Sequence, residues 1–303
     1  MKFHQKPVLI LGGRGYVGLH LGASLAALGF PVFSVSRGEP QSPWDIQGDA
    51  LSPKLIENLI QTQGIQTVVN GICLGQVDQC EKNRDLAYDL NVAHVDRLLD
   101  LLASYPKVQL VHFSTNGVYG GDKAPYREDS QHHPKNYYGE LKSQADTLIQ
   151  EKRPTGTLLL RVMTLYGPKA HFQRDNPATF IIQALRKGQP LNLVDDVFNN
   201  FLFLEDLLSF IALGIEKRLL GVYNLAGPEI LHRYELGLRI CQLMGLSPQE
   251  VLSRVSSSDL TGLAPRAPHT SFDPSKALGL GWTRTPMNEG LKKTLLSGGW
   301  DVF

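Results

Sequence analysis

Tyr138 and Lys142 stand four residues apart in the stretch YGELK, a spacing that puts a phenol and an ammonium on one face of a helix, one turn from each other. In water a phenol keeps its proton up to a pKa of about 10. A neighbouring positive charge favours the phenolate and lowers that value, which makes the pair able to pass a proton to or from a ligand at neutral pH. A chain with ten tyrosines makes such a pair by chance, so its position decides. It follows the apolar run Val108 to Phe113 and precedes a second one, Thr157 to Val162. Between the first run and the pair, Ser114-Thr115-Asn116-Gly117-Val118-Tyr119-Gly120-Gly121 gathers hydroxyls and turn residues at the carboxyl end of an expected strand, where open α/β sheets carry their ligands.

A phosphate cradle stands at the other end of the chain. Val8-Leu9-Ile10-Leu11 reads as a buried parallel strand that breaks into Gly12, Gly13, Gly15 and Gly18 and then into helical spacing from Tyr16 to Leu28, closed by Gly29. Gly13-x-Gly15-x-x-Gly18 fits the general dinucleotide fingerprint, and Gly12-x-x-Gly15-x-x-Gly18 the wider-spaced version; both readings stay open. Either way Gly12, Gly13, Arg14, Gly15, Tyr16, Val17 and Gly18 would meet a pyrophosphate at a helix N-terminus. The next expected strand, Phe30 to Ser36, ends in Ser36-Arg37 rather than in an acid. An acid there would hold the ribose 2′-hydroxyl of NAD; Arg37 with Arg14 suits the additional phosphate, so NADP(H) is the expected cofactor and NAD(H) stays open. Asp49, followed by Ala50, is placed to touch the adenine edge and equally to be a turn aspartate. A helix is expected from Ser52-Pro53, a strand over Thr67 to Asn70, and a ligand-side loop at Gly71-Ile72-Cys73-Leu74. Cys73 reads as a small buried residue near the nicotinamide rather than as a redox group. The spacing predicts one long helix from Asn83 to Ser104.

Strands and helices that alternate in this way predict an α/β, doubly wound parallel sheet of the Rossmann kind with right-handed crossovers. With 30 basic and 29 acidic side chains there is no overall field to attract nucleic acid or an anionic membrane. The three cysteines form no C-x-x-C, His132 and His133 have no acid or cysteine at ligand spacing, and so neither a disulfide framework nor a metal is expected. No run approaches the roughly 18 apolar residues of a membrane span. These readings predict a cytoplasmic protein with a small-molecule partner; a homodimer stays open.

The chain resembles the extended short-chain dehydrogenase/reductase family over nearly its whole length, and within it the dTDP-4-dehydrorhamnose reductases and the regulatory β subunit of methionine adenosyltransferase. The stretches that carry the likeness are Gly12 to Gly18, Val77 to Glu81, Asn91-Val92, Phe113-Ser114-Thr115, Pro125 to Glu128, Tyr138-Gly139-x-x-Lys142, Arg161 to Pro168, Pro265-Arg266 and Ser275-Lys276-x-Leu278-Gly279. The resemblance implies Thr115, Tyr138 and Lys142 as the catalytic set, Tyr138, Lys142 and Met163 among the cofactor contacts, and reduction of a keto group on a nucleotide-sugar-like substrate. It also implies a nucleotide domain over 1–167, rejoined by 201–228, and a smaller substrate lobe built from 168–200 and 229–303. Two stretches depart from the reductases: Asn116 stands where they carry an acid, and Asp196 to Phe201 replaces their D-Q-F-G-x-P-T. A regulatory subunit without turnover, or a nucleotide-sugar epimerase, keeps the same cofactor site; a dehydratase needs an acid pair after Thr115 that Asn116-Gly117 does not supply.

Overall fold

The computed structural model describes residues 6–260 and 262–297; the extreme ends of the two expected lobes, 1–5 and 298–303, lie outside them. In chain order the elements are β1 (Val8–Leu11), α1 (Tyr16–Ala27), β2 (Val32–Ser36), β3 (Asp45–Gln47), α2 (Pro53–Gln63), β4 (Thr67–Asn70), α3 (Val77–Lys82), α4 (Arg84–Tyr88), α5 (His94–Ala103), β5 (Gln109–Thr115) and α6 (Tyr137–Lys152). They continue with β6 (Thr157–Val162), β7 (Leu165–Tyr166), α7 (Pro177–Arg186), β8 (Leu191–Val194), β9 (Leu202–Phe203), α8 (Leu204–Glu216), β10 (Gly221–Leu225), α9 (Arg233–Met244), α10 (Pro248–Val251), β11 (Leu252–Val255), α11 (Ser275–Leu278) and α12 (Met287–Leu296).

Seven strands form one sheet in the order β10-β6-β5-β4-β1-β2-β3, and the pairs β1 with β2, β1 with β4, β2 with β3 and β4 with β5 are parallel. This is the Rossmann-like α/β arrangement expected from the alternating pattern. Strand order reverses between β1 and β4, so the loops leaving Leu11 and Asn70 open at the switch point, where such sheets take ligands. All four side chains of β1 and all four of β4 are buried, as a strand covered on both faces requires. Ser52 caps α2 by accepting from the Leu55 N–H at 3.4 Å, Pro53 opens it, and Gly64 ends it with φ +62°.

The long helix expected over Asn83 to Ser104 is instead α4, a π-helical turn at Asp89–Ala93, and α5. Apolar spacing is nearly the same through such a turn, which is why periodicity does not reveal it. Its effect is local: Asn91 Oδ1 accepts from the Leu74 N–H at 3.1 Å and its Nδ2 donates to the Leu74 carbonyl at 3.2 Å, tying down the loop after β4.

The chain divides into two compact units. Unit 1 is 1–114, 137–161 and 208–223; unit 2 is 115–136, 162–207 and 224–303. Unit 1 packs Leu9, Leu11, Val68, Leu98, Leu110 and Leu159 around the sheet. In unit 2, α7, α9 and α12 enclose Tyr166, Ile181, Phe203, Ile240 and Leu291, beside the parallel ribbons β8–β11 and β7–β9. Asn176 caps α7 and His232 caps α9, each in a reciprocal capping box. Among the described residues no helix is long and apolar enough to cross a membrane.

Candidate functional site

Unit 1 holds the glycine loop. Gly12 has φ +86°, a conformation glycine takes without strain. A Cβ on Gly18 would lie 2.5 Å from the Gly12 carbonyl oxygen, and one on Gly13 would lie 1.6 Å from Ser34 Oγ; the turn closes on α1 and β2 only because neither side chain exists. No side chain caps α1 at Gly15. The Gly71 N–H donates to the Leu11 carbonyl at 2.9 Å, and a Cβ on Gly12 would touch the Gly71 backbone at 3.3 Å and Ile72 at 3.5 Å. The loops after β1 and β4 are therefore packed together.

Arg14 Nη1 donates to the Glu39 carbonyl at 3.1 Å and lies over Gly38, just past the end of β2. Ser36 is half-buried and accepts through its carbonyl from the Gly48 N–H at 2.9 Å, while Arg37 is exposed. Asp49 accepts from the Leu51 N–H at 3.0 Å in front of α2, and Ala50 behind it is buried. Tyr16 and Val17 are half-buried in the first turn of α1. Cys73 is exposed, which corrects its reading as a small buried residue: it sits in the open loop after β4, and the buried thiol nearest it in the chain is Cys80, seven residues on, which donates to the Leu74 carbonyl at 3.2 Å. Burial pushes the Cys80 thiol up to about 11, with Cys73 and Glu81 adding to the shift and Asn91 opposing it.

Tyr138 and Lys142 lie in α6, Tyr138 half-buried and Lys142 only 2% exposed. Lys142 Nζ is 3.2 Å from His112 Nε2 on β5. His112 pairs in register with Asn70 on β4, their side chains 3.3 Å apart between Nδ1 and Nδ2, and His94 Nε2 reaches Asn70 Oδ1 at 3.2 Å. His112, Asn70 and His94 were not singled out from the sequence; the signal was a polar side chain inside each of two apolar strands. Below Lys142 on the same helix, Asp146 accepts from Arg161 Nε of β6 at 3.0 Å with both side chains buried.

Two expected site residues belong to unit 2. Thr115, the last residue of β5, accepts through Oγ1 from the Gly117 N–H at 3.1 Å and donates to Asn116 Oδ1 at 3.3 Å. Asn116 Nδ2 in turn donates to Thr270 Oγ1 at 2.7 Å and Asn199 Oδ1 at 3.2 Å. The two departures from the reductase pattern, Asn116 and the 196–201 stretch, thus meet in one network. Met163 is buried and its N–H donates to the Leu225 carbonyl at 3.0 Å.

The buried histidines make stability acid-sensitive. Burial is the largest cause holding His94 down to about 4, with Arg97 adding and Asp89 and Asp49 opposing. The folded value is depressed, so unfolded His94 takes a proton near 6.5 while the folded one does not. Stability is complete above that pH and falls as pH drops from about 6.5 towards 4, by about 3 kcal/mol. Urea midpoints across that window should fall in the wild type and fall less steeply in His94→Gln; equal slopes would exclude His94 as the source.

The profile of the RmlD substrate binding domain matches residues 6–297. The chain is 26% identical over 322 residues to the trifunctional UDP-glucose 4,6-dehydratase/UDP-4-keto-6-deoxy-D-glucose 3,5-epimerase/UDP-4-keto-L-rhamnose-reductase of Arabidopsis thaliana, covering 97% of this chain and 47% of that one. It therefore spans about half the length of that relative. It is 24% identical over 253 residues to methionine adenosyltransferase 2 subunit beta of Xenopus laevis, covering 81% of this chain and 74% of that one. The backbone matches the crystal structure of a dTDP-4-dehydrorhamnose reductase from Bacillus anthracis in complex with NADP, with a TM-score of 0.84 over 97% of this chain and 99% of that one, at 20% identity. That last likeness is one of fold.

Proposed function

Because the chain belongs to the RmlD substrate binding domain family, we propose that it is an NAD(P)H-dependent oxidoreductase of the extended short-chain type, which reduces a keto group on a nucleotide-linked sugar. The observation that carries this reading is Lys142. A lysine that merely followed Tyr138 by chance would lie in solvent, whereas this one is 2% exposed, on a helix of the same unit as the glycine loop.

The residues present fit a dinucleotide. Gly12, Gly13, Gly15 and Gly18 leave the side-chain-free cradle that a pyrophosphate needs, with Arg14, Tyr16 and Val17 around it at the start of α1. Ser36 and Arg37 take the adenosine ribose end, Asp49 and Ala50 the adenine edge, and Gly71, Ile72, Cys73 and Met163 the nicotinamide end. When bound, the reduced cofactor supplies a hydride to the carbonyl carbon. Tyr138 gives its phenolic proton to the oxygen, Lys142 holds the ribose and, once charged, stabilises the phenolate, and the Thr115 hydroxyl turns from Asn116 Oδ1 to orient the keto oxygen.

The same reading gives the larger lobe, 1–167 with 201–228, to the cofactor and the smaller one, 168–200 and 229–303, to the sugar nucleotide. In unit 2 Arg233 and Arg266 are both exposed and lie near enough for Arg233 to feel the charge of Arg266. Arg233 has no acidic partner among the described residues, and two cations so placed suit a diphosphate. A cytoplasmic homodimer completes the reading, with the mass in solution as its test.

Cofactor choice is testable at Arg37. A hydrogen bond to a charged phosphate contributes about 1.5–3 kcal/mol, so Arg37→Ala should weaken NADPH by about tenfold or more in calorimetric titration and leave NADH nearly unchanged. Equal losses would make Arg37 a general structural residue. The substrate class is tested by incubating the protein with NADPH and a mixture of nucleotide-linked 4-keto sugars. Mass spectrometry should find the corresponding alcohol, and recovery of every keto sugar unchanged would contradict the reading.

A further inference from the structure

Four buried side chains of unit 1 form a hydrogen-bonded row: His94, Asn70, His112 and Lys142. One member fixes the direction of all the others. The Ile72 backbone N–H, which can only donate, points at one atom of the Asn70 amide from 3.2 Å; that atom is therefore the oxygen. Asn70 Nδ2, a donor, then faces His112 Nδ1 at 3.3 Å, so Nδ1 must accept and carry no proton. A neutral imidazole with a bare Nδ1 has its proton on Nε2, and Nε2 faces Lys142 Nζ at 3.2 Å. A hydrogen bond there needs a lone pair on the lysine nitrogen. An ammonium has none.

We propose that His112 is a positioning residue that holds Lys142 as an uncharged amine in the cofactor-free protein, and that binding of an anionic dinucleotide draws one proton onto Nζ. The proposal rests on the reductase reading only for its second half. The surroundings agree with the first. His112 is the one hydrogen-bond partner of Nζ among the described residues, and burial lowers Lys142 from its usual value while Cys73 and Asp146 oppose the shift. Of the charged groups that face it, Asp146 is engaged by Arg161 at 3.0 Å, and Cys73 is an exposed thiol on the loop after β4. His112 is itself held well below 6.5 by burial, then by Lys142 and His94, so it does not take the proton instead. The phosphates of a dinucleotide supply the negative charge that the apoprotein lacks here. The proton comes from solvent: one N–H bond forms on Nζ, the Nε2–H···Nζ hydrogen bond is lost, and no electrons are transferred. Lys142 then becomes the cation that a developing Tyr138 phenolate needs, only after the cofactor is in place.

The test reads charge rather than turnover. In lysine- and histidine-labelled protein, the Nζ resonance that disappears in Lys142→Met should show an uncharged amine at neutral pH, and His112 should carry its proton on Nε2. Saturating NADPH should convert that amine to an ammonium. Calorimetry near pH 8, where the cofactor's own phosphate is fully ionised, in buffers of different ionisation enthalpy should record uptake of about one proton per site. In His112→Gln, whose amide oxygen can accept from an ammonium, Lys142 should already be charged in the cofactor-free protein and the uptake lost. An ammonium in the cofactor-free wild type, or a His112 proton on Nδ1, overturns the proposal without use of any variant. An amine that persists with NADPH bound overturns the coupling. Failure of NADPH to bind would instead count against the reductase reading, and the cofactor-free spectra would still decide the state of Lys142.

Discussion

Tyr138→Phe is expected to cut turnover by about 10²–10⁴-fold while the melting temperature and the dissociation constant for NADPH stay close to wild type. The substitution deletes one hydroxyl and retains a ring of nearly the same size in the half-buried first turn of α6, so packing changes little. Loss confined to kcat identifies a group that acts in the transition state; loss of cofactor affinity to the same degree would make Tyr138 a binding residue instead. Lys142→Met should behave differently, weakening cofactor binding and turnover together, because one nitrogen serves both the ribose and the phenol. An unchanged Lys142→Met enzyme would remove the lysine from the site.

The second large effect is on stability. Asp146 and Arg161 are 0% and 3% exposed and pair at 3.0 Å, joining α6 to β6 at a point one turn below Lys142. Arg161→Met leaves the carboxylate buried without its partner, which costs about 3–5 kcal/mol. For a protein of this size that corresponds to roughly 5–8 °C in melting temperature. The double variant Asp146→Leu/Arg161→Met removes both charges and should recover most of the loss, since the pair itself contributes little against an apolar replacement. Denaturant midpoints of the three variants check this. A double variant no better than the single would show that the cost lies in packing rather than in the orphaned charge.

The parts of the molecule that were legible in its sequence are those where local chemistry leaves few options. Four apolar residues followed by Gly12, Gly13, Gly15 and Gly18 point to a strand, a turn without side chains and a helix; the 1.6 and 2.5 Å approaches at Gly13 and Gly18 show why nothing larger would serve. That Tyr138 and Lys142 share one helix is legible from their spacing, which depends only on residues four apart. The His112–Asn70 contact was hidden for the opposite reason: its members are 42 positions apart in the chain and meet only because β4 and β5 pair in a particular register. The π-helical turn at Asp89–Ala93 escaped because it shifts hydrogen-bond partners without altering the run of apolar side chains. Cys73 and Cys80 differ in burial through the course of one loop, which composition does not encode.

The most direct test of the central claim is transfer of the label from NADPH deuterated at the reactive carbon of its nicotinamide. The protein is mixed with this cofactor and a nucleotide-linked 4-keto sugar, and the sugar is recovered for mass spectrometry and NMR. A reductase delivers the deuterium to the former carbonyl carbon, one per sugar reduced, and Tyr138→Phe suppresses the transfer. Tight binding of both ligands with no deuterium in the sugar would contradict the account and make the chain a binder of the two ligands rather than a reductase.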